Sequence, residues 1–151
     1  MLPAGDASDS EPWASGSKTV AATLVLAPNP SAWTLDGTNT WLVSSPGSGQ
    51  TIVVDPGPDD LVHLERIIAQ GIAVDSPVTA IVLTHGHADH SAGARQLADM
   101  TGAEVRAVDP DHRLGSEGLV GGEVITAGSL EVRVVATPGH TSDSVCLLIE
   151  S

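Results

Sequence analysis

The segment Val78-Thr79-Ala80-Ile81-Val82-Leu83-Thr84-His85-Gly86-His87-Ala88-Asp89-His90 decides how this 151-residue chain is read. Its first part, Val78 to Leu83, is a nearly continuous apolar run, the pattern of a strand covered on both faces. The remainder places four metal-ligating side chains, His85, His87, Asp89 and His90, within six residues. Loops that follow a buried strand commonly carry function. In extended backbone His85 and His87 project to the same side and can converge on one ion. Where the chain then turns into a helix, Asp89 and His90 point elsewhere and can serve a neighbouring ion. The competing reading is a set of solvated loop histidines with a helix-capping aspartate. Three exposed imidazoles meet no structural need, and Gly86 and Ala88 leave ligands room, so the metal reading is preferred. Clustered imidazoles and a carboxylate suit zinc, with manganese or iron as other occupants.

Before this segment the chain reads as β structure. Thr19 to Leu26 is β-branched and apolar, and a Pro/Gly-punctuated loop runs from Asn29-Pro30 to Asp36-Gly37. Thr38 to Ser44 and Thr51 to Asp55, parted by Ser45-Pro46-Gly47-Ser48-Gly49, read as an antiparallel hairpin. After Asp55-Pro56-Gly57-Pro58, a helix is expected over Asp59 to Gln70, with Leu61, Leu64, Ile67 and Ile68 at helical spacing and Gly71 as its stop. His63 falls on the polar side of that helix and His112 in a surface loop, so both are expected at the surface.

Beyond the segment a second helix is expected from about Asp89–Ser91 to Met100, with Ala94, Leu97 and Ala98 inward and Gly102 ending it. Glu104 to Val108, Glu123 to Thr126, Leu130 to Ala136 and Val145 to Ile149 complete the strands. The pattern predicts an α+β fold with helices laid against sheet. Residues 1–18, rich in Ser, Gly, Pro, Ala and acids, read as a disordered leader, and 19–151 as one domain.

Six Lys plus Arg against 19 Asp plus Glu give a net charge of −13, which weighs against a nucleic-acid partner. No apolar run approaches the roughly 20 residues needed to span a bilayer. Cys146, the only cysteine, sits in an apolar run and is expected to be a buried, inert thiol, in keeping with a cytoplasmic chain. His140, in the turn Thr137-Pro138-Gly139-His140-Thr141, is the remaining candidate ligand. With His85 and His87 it makes a three-histidine set with an open fourth position, the general form of a catalytic zinc site.

Thr84 to His90, Asp55-Pro56-Gly57-Pro58 and Thr137 to Thr141 together resemble the metallo-beta-lactamase superfamily. Ala27-Pro28-Asn29-Pro30 with Gly37-Thr38-Asn39-Thr40 is similar to its glyoxalase II-like and lactamase-beta-like-2 branch. The resemblance covers about Val20 to Ile149 and implies an αβ/βα sandwich, of which this chain would hold the first αβ half. It implies that His85, His87 and His140 bind a first metal, that Asp89 and His90 contribute to a second, and that Asp55 supports the metal loop. Asp89 would also orient or deprotonate the attacking water, whose pKa such an ion lowers to about 7.

The bridging aspartate and later histidine implied by the family are not reached before Ser151, so the domain is expected to be truncated at its C-terminal side. Its sheet would then present an apolar face that a homo-oligomer could cover. The expected function is metal-dependent hydrolysis of a small-molecule thioester or related ester. The alternatives are a metal-binding fragment with little or no activity and a single-strand RNA-cleaving enzyme. A barrel amidohydrolase, which also uses a His-x-His pair, needs about 250 residues and is disfavoured by length.

Overall fold

The computed structural model describes residues 21–45 and 47–150; the leader expected at 1–18 and the start of the first expected strand lie outside them. β1 (Ala21–Leu26), β2 (Asn39–Ser44) and β3 (Thr51–Val54) form an antiparallel meander. The chain then crosses through α1 (Leu61–Ala73) to β4 (Val78–Val82), parallel to β3. A second crossover, through α2 (Ala88–Ser91) and α3 (Ala94–Thr101), leads to β5 (Glu104–Arg106), parallel to β4. These five strands form one sheet in the order β1-β2-β3-β4-β5. β6 (Val124–Ala127), β7 (Leu130–Ala136) and β8 (Val145–Glu150) form a second, antiparallel sheet.

The apolar runs of β2, β3 and β4 follow from a sheet buried on both faces, because neighbouring residues of a strand point to opposite sides. Leu42, Val53 and Ile81 face the helices, against Leu64, Ile67, Ala94 and Leu97. Val43, Val54 and Val82 face the second sheet, against Ile125, Val132, Val134 and Val145. The apolar face expected to lack a partner is therefore covered by the chain's own last three strands, and the ground for expecting a homo-oligomer goes with it. β8 alternates as well. Val145 is buried while Cys146 is exposed, its Sγ 3.5 Å from Thr137 Oγ1, so the thiol is not the buried one expected.

Both helices differ from their expected bounds for reasons that lie in their glycines. α1, capped by the Asp60 carboxylate accepting from the His63 amide at 2.8 Å, does not stop at Gly71 but runs to Ala73. A β-carbon at Gly71 would lie 2.9 Å from the Ser76 carbonyl, so this glycine serves close approach rather than termination. The second helix is broken into α2 and α3 at Gly93, whose amide donates to the Gly57 carbonyl at 2.9 Å and whose absent β-carbon makes room for Pro58. Ala94, Leu97 and Ala98 point inward as expected, and Gly102 ends α3 in left-handed backbone.

Parallel strands release their loops at a common edge, where open α/β sheets usually place their sites. Asp55 follows β3 and His85 follows β4 at that edge. The β7–β8 turn arrives at the same place, because the Val145 amide donates to the Thr84 carbonyl at 2.9 Å.

Candidate metal centre

Asp55 organises the site from beneath. Its backbone is left-handed, with φ of 53°, a conformation that costs a non-glycine residue roughly 1–2 kcal/mol. Four neighbours hold it there. Its amide donates to the Val82 carbonyl at 2.9 Å, and its carbonyl accepts from the Thr40 hydroxyl at 2.8 Å. Its Oδ1 accepts from the Thr84 amide at 2.8 Å. Its Oδ2 accepts from the Thr84 hydroxyl at 2.6 Å and pairs with His90 Nδ1 at 2.8 Å.

These bonds settle where the protons lie. An ionised carboxylate only accepts, so the single hydroxyl proton of Thr84 goes to Asp55. At 3.0 Å from His85 Nδ1, Thr84 Oγ1 must then accept, and Nδ1 carries the proton. His85 Nε2 is left as a bare lone pair. It is buried and has no hydrogen-bond partner, and the residue is only 8% exposed. The rings of His87, His90 and His140 surround the His85 ring, with centroid-to-centroid distances of 4.8, 4.3 and 5.0 Å. A buried acceptor without a partner is destabilising; a metal ion placed among these imidazoles satisfies it, and the donor set fits such an ion on this observation. Burial, with the charge of His90, lowers the His85 pKa, which keeps the ring neutral as coordination requires.

Two groups of donors converge. Ligand atoms of His85, His87 and His140 lie within 4.8 Å of one another, and so do those of Asp55, His85 and His90. His140 Nε2 stands 3.1 Å from His87 Nδ1. The hydrogen bond that His90 Nδ1 donates to Asp55 raises the His90 pKa despite burial, and it leaves Nε2 as the nitrogen not bound to Asp55. Asp89 lies outside both groups; its Oδ2 is 3.5 Å from His90 Nε2. The structure thus brings His85, His87, His90 and His140 together and sets Asp89 at the rim.

The donors open on a cleft of about 540 Å³ whose other wall is Ser31, Trp33 and Thr34. Ser31 Oγ accepts from the amides of Trp33 and Thr34 at 3.1 and 3.0 Å, so the turn is internally tied while the Trp33 side is 94% exposed. Thr38 joins this loop to the ligand segment by donating to the Asp89 carbonyl at 2.8 Å.

Sequence reasoning misplaced or missed three residues. His63 is not at the surface. It is fully buried on the inner line of α1 with Leu64, Ile67 and Gly71. The spacing of 63, 67 and 71 is the signal that could have shown it. His112 lies in a single 3₁₀ turn, Pro110–His112, and its ring packs on Gly86: a β-carbon there would meet His112 Nε2 at 2.5 Å. Asp143 stands beside Gly86, where a β-carbon would lie 3.4 Å from its Oδ2. Burial pushes its pKa up, but the polar groups of Thr141, its own amide, the Gly86 amide and the charge of His85 together hold it below the ordinary aspartate value.

Fold and site define an α+β sandwich that gathers a polyhistidine cluster at the edge of its main sheet. A sequence profile of the metallo-beta-lactamase superfamily matches residues 33–151, and the chain belongs to that superfamily. It is similar to the lactamase-like protein nscB of Neosartorya fischeri, 35% identical over 130 residues that make up 83% of this chain and 38% of that protein. It is also similar to the atrochrysone carboxyl ACP thioesterase of Aspergillus chevalieri, 32% identical over 133 residues, 83% of this chain and 41% of that one. Among solved structures, ETHE1 from Myxococcus xanthus superposes with a TM-score of 0.68 at 26% identity, covering 85% of this chain and 53% of that one. The chain spans about two fifths of the length of the two curated relatives.

Proposed function

We propose that this chain carries the metal-binding part of a hydrolase for thioesters or related esters, with His85, His87 and His140 as ligands of the first ion. The bare, buried Nε2 of His85 facing two further imidazoles is the observation that carries this reading. Three nitrogen donors suit zinc before manganese or iron. When bound, such an ion supplies Lewis acidity, polarising an ester carbonyl and acidifying a water.

The residues of the chain do the rest. Asp55, through Thr84, fixes the tautomer of His85 and directly fixes that of His90. Both Asp55 oxygens are already engaged, so a second ion would rest on His90 Nε2 and Asp89, and the first position fills before it. Asp89, at the rim of the cleft, accepts the proton of the attacking water. Trp33 and Thr34 confine the small-molecule substrate from the opposite wall.

The thioester preference draws on the relative named as a carboxyl ACP thioesterase. It is also the choice of the glyoxalase II-like branch that the sequence resembles. The net charge of −13 disfavours RNA, the other substrate class considered. No helix among the described residues is long and apolar enough to cross a membrane, and we place the protein in the cytoplasm, where an exposed single thiol stays reduced.

Metal analysis of the purified chain beside a panel of thioester and RNA substrates tests the proposal. Chelator-sensitive thioester hydrolysis that vanishes in His85→Ala is the expected result. Stoichiometric metal with no turnover would leave a metal-binding fragment in its place, and no metal uptake at all would remove both.

A further inference from the structure

We propose that Thr38 is a positioning residue whose hydroxyl fixes the peptide unit between Asp89 and His90; the proposal rests on the metal-site reading above. Thr38 closes the loop that carries Ser31, Trp33 and Thr34, and it lies 51 residues before Asp89. It is only 4% exposed, and its neighbours leave one arrangement of protons. A backbone amide only donates, so the Asn29 side-chain atom 2.9 Å from the Thr38 amide is the oxygen, Oδ1, and Nδ2 is the atom 3.0 Å from Thr38 Oγ1. Nδ2 in turn only donates. Oγ1 therefore accepts from Asn29, and its single proton goes to the Asp89 carbonyl at 2.8 Å.

That carbonyl shares one planar peptide unit with the His90 amide, which donates to the His87 carbonyl at 3.0 Å. The peptide is thus held at both ends, by Thr38 on its oxygen and by His87 on its nitrogen. Its rotation would displace His90 relative to His87, so the Thr38 hydroxyl sets the spacing of two of the gathered imidazoles. The loop keeps Thr38 in place from its own side. The Ala27 amide donates to the Thr38 carbonyl at 2.9 Å. Gly37 passes so close that a β-carbon there would lie 2.0 Å from the Ala27 carbonyl oxygen and 3.3 Å from Asn29 Oδ1. Thr38 is not among the residues that line the cleft, so it acts through the ligands and not on a substrate.

The test compares the wild-type chain with three variants. Thr38→Val keeps the shape and removes the hydroxyl, whereas Thr38→Ser keeps the hydroxyl and removes a methyl. Asn29→Asp still accepts from the Thr38 amide but draws the hydroxyl proton away from Asp89. Hydrogen exchange of the His90 amide is measured without metal, and each chain is titrated with cobalt(II), followed by its visible absorption. Thr38→Val and Asn29→Asp are expected to speed His90 exchange by about tenfold or more and to weaken the second cobalt by about 10–100-fold, with the first retained. Thr38→Ser should stay within about threefold of wild type in both readouts. His90 exchange or second-cobalt affinity in Thr38→Val within about twofold of wild type overturns the proposal. So does a Thr38→Ser chain as impaired as Thr38→Val, because the methyl would then be what holds the turn. If Thr38→Val does not fold, an unchanged His90 amide in Asn29→Asp overturns it. A wild-type chain that takes up one cobalt sinks the second ion instead, and one that takes up none sinks the metal reading; the His90 amide then decides alone whether Thr38 holds the peptide.

Discussion

His63 and His85 are both buried, and each has one ring nitrogen with no hydrogen-bond partner, yet they stand in opposite company. His63 lies under the Asp55 loop, its Nε2 3.1 Å from Thr40 Oγ1. Thr40 gives its proton to the Asp55 carbonyl, so His63 donates to Thr40 and leaves Nδ1 without a hydrogen-bond partner. His85 leaves its Nε2 bare among three imidazoles. Under the proposed function the same local deficit marks a metal position in one case and a supporting strut in the other. Further donors converging on the nitrogen separate them, and burial does not.

Three substitutions can break that contrast and a fourth can sharpen it. The largest effect is expected from His85→Ala, which should abolish tight zinc binding in a metal titration, whereas His63→Gln should keep one zinc per chain. Equal loss in both would erase the distinction. Asp55→Ala comes next. It frees the Thr84 amide and hydroxyl and the His90 ring at once, and should lower stability in urea unfolding by roughly 3 kcal/mol while weakening zinc. A loss under about 1 kcal/mol would show that the left-handed backbone and its bonds offset each other.

A smaller effect concerns pH in the metal-free protein. Burial, with the charge of Arg66, lowers the His63 pKa from 6.5, so the unfolded chain binds the proton more readily. Stability is therefore lost as pH falls below 6.5 and on through the folded pKa. His90 has the opposite sign: its raised pKa gives stability that is present below 6.5 and lost as pH climbs through the folded value. His63→Gln should flatten the acid limb of stability against pH and leave the alkaline limb as it was. An unaltered acid limb would show that His63 does not titrate on unfolding. The smallest effect is expected from Trp33→Ala, within about 0.5 kcal/mol in thermal or urea unfolding, because the side chain is outside the core and serves the cleft.

Much of this was legible in the sequence, and the rest failed for identifiable reasons. The β-branched run of β4 and the α1 positions Leu64 and Ile67 are local patterns that landed where periodicity placed them, and of the segment His85 to His90 the structure gathers His85, His87 and His90 and leaves Asp89 outside the donor groups. His140 was grouped with His85 and His87 as the three-histidine set of a catalytic zinc site, a grouping the family resemblance also implied, since nothing in the local sequence joins the two turns. His63 was misread because a polar side chain was assigned to the polar face on chemistry, although its position shared the line of Ile67 and Gly71. Gly71 was misread as a stop because a glycine needed for close approach has the same letter as one needed for positive φ. Asp143 went unnoticed because it comes beside Gly86 only through the packing of two sheets.

The most direct test of the metal centre is X-ray absorption at the zinc edge on the chain loaded with one equivalent, alongside His85→Ala. The account predicts three imidazole nitrogens at about 2.0–2.1 Å, and a clear loss of imidazole scattering in the variant. A coordination shell dominated by oxygen, or one that His85→Ala leaves unchanged, would contradict it.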